Sequence, residues 1–167
     1  MNDLVPGDLG LLALRVVLGV TYVLHGLRKL GWRNPHGFAG FGASIARRGY
    51  RPARLWAIAA VTAEIAGGIL AIVGLWMPFA AALLVGQSVT ILLLVRGKGF
   101  WHDEGGIEYP LMLTTASLVL AFAGAGRYSM DAALGMAFPW LGAGLALLAI
   151  GGALLGLVTR GPEQPRT

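Results

Sequence analysis

The chain has 167 residues, of which 56% are hydrophobic and 13% charged, and a net charge of +5. A soluble domain carries about a quarter charged residues, so this load, with a mean hydropathy of +0.71, excludes an ordinary water-soluble fold and points to lipid. There is no cysteine, which excludes disulfides, thiol chemistry, iron–sulfur clusters and thiolate metal sites within the chain.

In chain order, five apolar segments approach the roughly 20 residues that span a bilayer core as a helix. The first runs from about Leu9 to Leu30. Met1 to Gly10 has Asp3 and Asp8 but no basic residue, the apolar part holds Arg15, and no A-x-A-like end follows. It is therefore expected to be a retained helix and not a cleaved signal peptide. In the long loop after it, Phe38, Phe41 and Ile45 recur at helical spacing before Arg47 and Arg48. This predicts a short amphipathic helix near 36–48 lying on the cytoplasmic leaflet, with an irregular basic loop as the alternative.

The second span, Leu55 to Trp76, and the third, Phe79 to Val95, are separated only by Met77 and Pro78. Proline lacks a backbone donor and restricts the residue before it, so a tight helical hairpin is expected. The fourth span runs from Ile107 to Ala125 and the fifth from Phe138 to Val158. Residues 161–167 read as a disordered tail. The fold class is thus an all-α integral membrane bundle. Its organisation is a four-helix domain over 1–134 and an additional transmembrane helix within 135–160.

Trp32, Trp56, Trp76, Trp101 and Trp140 all fall at span ends, where indole prefers to sit. Charge gives the orientation. Arg28, Lys29, Arg33, Arg47, Arg48, Arg51, Arg54, Arg96, Lys98, Arg160 and Arg166 lie on one side of a five-span layout, whereas Arg127 lies on the other. Basic loops stay in the cytoplasm, so the expectation is a bacterial-type inner-membrane protein with its N-terminus outside and its C-terminus in the cytoplasm. The same clustering in short loops speaks against nucleic acid as a partner.

Function is to be sought among polar groups inside the spans, because each is costly unless paired or hydrated. On the first helix Arg15, Gly19, Tyr22, Gly26 and Lys29 form one stripe with His25 at its edge, a face turned towards other helices. Glu64 lies near the middle of the second span, on the face of Ala60, Gly67, Gly68 and Ala71. Gln87 is near the middle of the third, and Glu108 and Tyr109 open the fourth. At about 1.5 Å per residue, Arg15, Glu64 and Gln87 are expected to cluster around mid-depth, with Tyr22, His25 and Glu108 leading to the cytoplasm. Alternatively, Arg15 and Glu64 only neutralise each other and set helix register, and His25 is an interfacial residue. One histidine at that depth argues against haem. A metal site from His25, Glu64 and Glu108 has no diagnostic spacing, so none is expected. The Gly152-x-x-x-Gly156 pair suits close packing, within the chain or across a homo-oligomer.

These residues resemble the DoxX family. Leu14-Arg15 and His25-Gly26-Leu27-Arg28-Lys29-Leu30 are similar to the opening of its first helix, and Glu64-Ile65-Ala66-Gly67-Gly68 to the E-x-x-G-G of its second. Gly105-Gly106-Ile107-Glu108-Tyr109 and Gly124-Ala125-Gly126-Arg127-Tyr128-Ser129-Met130-Asp131 flank the fourth, the latter resembling G-x-G-x-x-S-x-D. The usual family core is four helices, so the fifth span is an addition. The resemblance implies a membrane subunit related to DoxD of thiosulfate:quinone oxidoreductase, linked with oxidative stress through a partner enzyme.

The expectation is therefore a site for a quinone or lipid-like ligand. Glu64 would exchange protons, with His25 as its catalytic companion, and Arg15, Tyr22, Gln87, Glu108 and Tyr109 would complete the binding surface. The electron donor would be a separate protein, because nothing in the chain stores electrons. Two other readings stand beside it. One is a non-catalytic anchor presenting its basic loop to a soluble enzyme or to anionic lipid. The other is a small proton-coupled transporter using Glu64, which the lack of an inverted repeat disfavours.

Overall fold

The computed structural model describes residues 6–163, and among these every regular element is helical. In chain order they are α1 (Pro6–Leu30), α2 (Gly37–Arg47), α3 (Ala53–Val73), α4 (Met77–Val95), α5 (Glu108–Ala123), α6 (Met130–Ala133) and α7 (Leu141–Thr159). Helices α1, α3, α4 and α7 are long and apolar enough to cross a membrane. At 16 residues, α5 extends only about 24 Å, short of the span predicted over 107–125. Large apolar side chains such as Val17, Met112, Phe122, Leu148 and Val158 face outwards, as lipid-facing positions of a multi-pass membrane protein do.

The packing follows from where the small residues fall. Helices α1 and α3 pack closely along their length. A Cβ placed at Gly19 would come within 2.6 Å of the Gly68 carbonyl oxygen, and one at Gly68 within 2.7 Å of the Gly19 carbonyl oxygen. The two backbones touch because neither residue has a side chain, the way small residues let membrane helices approach. The α3–α4 hairpin is tight, as expected, but its turn is formed by Gly74, Leu75 and Trp76, and the Met77-Pro78 pair expected to separate the spans opens α4. Gly74 caps α3 in the left-handed conformation at φ 68°, and Pro78 sits in the first turn of α4, where its missing N–H costs nothing.

Helix α7 packs on α4 and α5. Its C-terminal end is tied to the α2–α3 turn, where the Gly161 N–H donates to the Gly49 carbonyl at 2.9 Å. Gly161 is therefore held in place, unlike the disordered tail expected from residue 161; residues 164–167 of that tail lie outside the described residues.

The loop helix expected near 36–48 is present as α2, but its apolar face does not rest on a leaflet. Ile45 is buried with Tyr50 and Ala57, and Phe38, Phe41, Ala53 and Leu94 pack against them. The protein itself offers a better apolar surface than the headgroup region, so α2 closes over the end of the bundle. Burial raises the pKa of the Tyr50 phenol in this cluster, against the opposing influence of Arg160 and Arg48.

Candidate functional site

Helices α1, α3, α4, α5 and α7 enclose a cavity of about 640 Å³, covered at one end by α2. Most of its wall is apolar and built of small residues, including Ala59, Ala60 and Ala63 on α3 and Ala149, Gly152 and Ala153 on α7. That volume falls within the range typical of small-molecule sites, about 300–1,000 Å³.

The polar groups in this wall converge on Glu64, which is 1% exposed. Its Oε1 accepts a hydrogen bond from Lys29 Nζ at 2.5 Å and another from Gln87 Nε2 at 3.0 Å. Its Oε2 has no partner among the described residues. The antiparallel run of α1 against α3 brings the last turn of α1 to the middle of α3, and the hairpin places Gln87 level with Glu64. The Lys29 ammonium also lies 4.7 Å from the centre of the Phe41 ring, so α2 covers the ion pair from above. Here the structure departs from expectation: the cation beside Glu64 is Lys29, not Arg15.

Towards the α4–α5 loop the cavity is lined by His25, Tyr109 and His102. His25 Nε2 and the Tyr109 hydroxyl are 3.0 Å apart, and the His102 ring lies 5.4 Å from that of Tyr109. Sequence patterning does not single out His102, because its loop carries no helical periodicity to project it onto a face.

Two expected ligand-binding groups are engaged elsewhere. Tyr22 borders the cavity, but its hydroxyl donates to the Leu84 carbonyl at 3.1 Å and lies 3.4 Å from Ser117 Oγ, inside the α1–α4–α5 core. Glu108 does not line the cavity; its Oε2 accepts from the His102 backbone N–H at 3.0 Å and steadies the loop.

Arg15 sits at the opposite end of the bundle. Fully buried, it donates through Nη2 to the Tyr128 carbonyl, while its Nε and Nη1 have no hydrogen-bond partner among the described residues. Asp131 accepts from the backbone N–H groups of Trp76 at 2.7 Å and Met77 at 2.9 Å, so its carboxylate caps the N-terminus of α4, where negative charge is favoured. Ser129 caps the short α6 that presents it. Arg15 thereby ties α1 to the α5–α6 connection, and Asp131 ties that connection to the α3–α4 hairpin. Glu64 lies about ten residues of helix away from the level of Arg15, which separates the two by roughly 15 Å along the bundle. The mid-depth cluster expected from the sequence is thus two clusters, one at the middle of α3 and α4 and one at the α3–α4 turn.

The residues that carry the first cluster, Lys29, Glu64 and Gln87, all lie in one stretch of chain. A family model, DoxX, matches residues 10–97, a little over half of the chain. The chain belongs to the DoxX family. In this DoxX protein the matched stretch covers α1 from residue 10 onwards, the loop helix α2, α3 and α4, whereas Tyr109, Asp131 and all of α7 lie beyond it. No curated protein and no solved structure matches the chain.

Proposed function

We propose that this DoxX protein binds a lipid-soluble ligand of quinone type in the α1–α5 cavity and works with a separate redox partner on the cytoplasmic side. The observation that carries the reading is that the Oε2 of buried Glu64 has no partner among the described residues, in an apolar cavity beside the Lys29 ammonium. A buried polar atom without a partner is costly, and a ligand hydroxyl or a bound water relieves that cost. The rest of the wall suits an apolar body.

The residues present fit a quinone. Lys29 and the His25–Tyr109 pair offer donors to quinone oxygens, while Glu64 Oε2 accepts from the hydroxyl of the reduced form. Such a molecule, when bound, supplies a place for two electrons and two protons. Glu64 Oε2 offers an acceptor to a hydroxyl of the reduced molecule, Lys29 balances the carboxylate charge, and His25, Tyr109 and His102 line the side that leads to the α4–α5 loop. With basic residues collected at the α2 end, that end faces the cytoplasm of a bacterial-type inner membrane, leaving the N-terminus outside.

The test is mass spectrometry of lipid-phase extracts from gently purified protein, wild type beside Glu64→Gln. A quinone retained by the wild type and lost by a folded variant is the expected result. Equal retention in both removes Glu64 from the site, and a wild type carrying only membrane lipid overturns the quinone assignment.

A second reading rests on a different surface. An open groove between α1 and α2 is lined by Arg28, Lys29, His36 and Arg47, a concentration of positive charge suited to an acidic surface of a soluble enzyme. On this reading the chain anchors its partner and performs no chemistry. Loss of function on neutralising Arg28 and Arg47, with Glu64 dispensable, favours it.

A further inference from the structure

Resting on the quinone-type reading, we infer that the ligand reaches Glu64 sideways from the lipid between α3 and α7, and that its apolar chain lies across Gly152. Helix α7 packs on α4 and α5 but forms no broad interface with α3. The residues that face each other across this gap are all small: Ala59, Ala60 and Ala63 on one side, Ala149 and Gly152 on the other. The floor is α4, where Ala149 packs against Gly86. Towards the α2 end the gap closes, because the Trp56 ring lies against Gly156 and the Gly161–Gly49 backbone bond ties the two elements.

Depth and openness fit an entrance. Gly86 precedes Gln87, the residue bonded to Glu64, so Ala149 lies at nearly the depth of the carboxylate. Gly152 follows one turn on, a displacement of about 5 Å. A Cβ placed at Gly152 meets no described atom within 4 Å, although the residue belongs to the cavity wall. Helices that merely pack against one another close such space. Here it stays open beside a buried carboxylate oxygen that lacks a partner. The occupant this arrangement suits has a polar head for Glu64 and Lys29 and a long apolar chain leaving through the small-residue gap into the bilayer. The α7 side of this gap lies outside the matched family stretch.

Two neighbouring glycines supply the experiment. Gly151 is exposed, a Cβ placed there likewise meets no described atom within 4 Å, and the residue is absent from the cavity wall. Gly151→Leu therefore adds the same bulk to the lipid face that Gly152→Leu adds to the gap. Full-length protein in detergent is titrated with a benzoquinone bearing a long isoprenoid chain, and the bound fraction is read by native mass spectrometry. Wild type and Gly151→Leu are expected to bind alike, and Gly152→Leu about tenfold more weakly or worse. Equal binding by all three overturns the lateral entrance and leaves the quinone site standing. No binding by the wild type overturns the quinone site, and the entrance with it. Should Gly152→Leu fail to purify as a single species, Ala60→Leu makes the same obstruction from α3, and unchanged binding there refutes the entrance equally.

Discussion

Removing Lys29 is expected to destabilise the protein more than neutralising its partner Glu64. In Lys29→Met the carboxylate keeps only Gln87, and it stays in a wall where it is almost completely shielded. Breaking a buried pair from one side costs about 3–5 kcal/mol. In Glu64→Gln the side-chain amide still offers an acceptor to Gln87, and the Lys29 side chain, 18% exposed near a helix end, can turn its ammonium towards the interface as long basic side chains do. The loss there is about 1.5–3 kcal/mol, the scale of a hydrogen bond to a charged group. The double variant Lys29→Met/Glu64→Gln has no unpaired carboxylate and is expected to be more stable than Lys29→Met alone, a coupling of about 2–3 kcal/mol. At about 2–4 °C per kcal/mol for a chain of this size, Lys29→Met lowers the melting temperature by roughly 6–20 °C. Thermal unfolding of the four proteins in one detergent, followed by circular dichroism, measures the cycle. Single effects that simply add, or a Lys29→Met no less stable than Glu64→Gln, refute the assignment of Lys29 as the counter-ion.

The opposite end of the bundle gives a second expectation. Asp131→Ala removes the carboxylate that caps α4, a loss of about 1–2 kcal/mol; Asp131→Asn, which keeps an acceptor, loses less in the same melting assay. Gly68→Leu forces α1 away from α3 and is expected to abolish a monodisperse peak in size-exclusion chromatography, whereas Gly10→Leu, with open space around it, leaves the peak unchanged. Tyr22→Phe gives up the bond to Leu84 and costs about 1 kcal/mol of stability, yet leaves ligand retention in the lipid extract as it was, because that hydroxyl points into the core.

The layout of the bundle is legible in the sequence. Runs of apolar residues of fixed length, a Met77-Pro78 break and indoles at the ends are consequences of bilayer thickness and backbone hydrogen bonding, which act on each segment separately. Glu64 and Gln87 can be placed at one depth for the same reason, since a short turn leaves a hairpin little freedom of register. The partner of Glu64 cannot. Arg15 and Lys29 share one stripe of α1, and which of them meets the carboxylate depends on how far α1 slides along α3. That register is set by the contact of Gly19 with Gly68, a property of two surfaces together. Likewise, Asp131 reaches the N-terminus of α4 only because the chain after α5 folds back under the α3–α4 turn, and the apolar residues of α2 choose protein over lipid only because Ala57 and Leu94 stand there to receive them. Composition and periodicity determined that this chain lives in a membrane and which faces turn inwards. Tertiary packing decided which charges meet, because an ion pair requires two side chains at one point in space and a sequence specifies only their distance along separate helices.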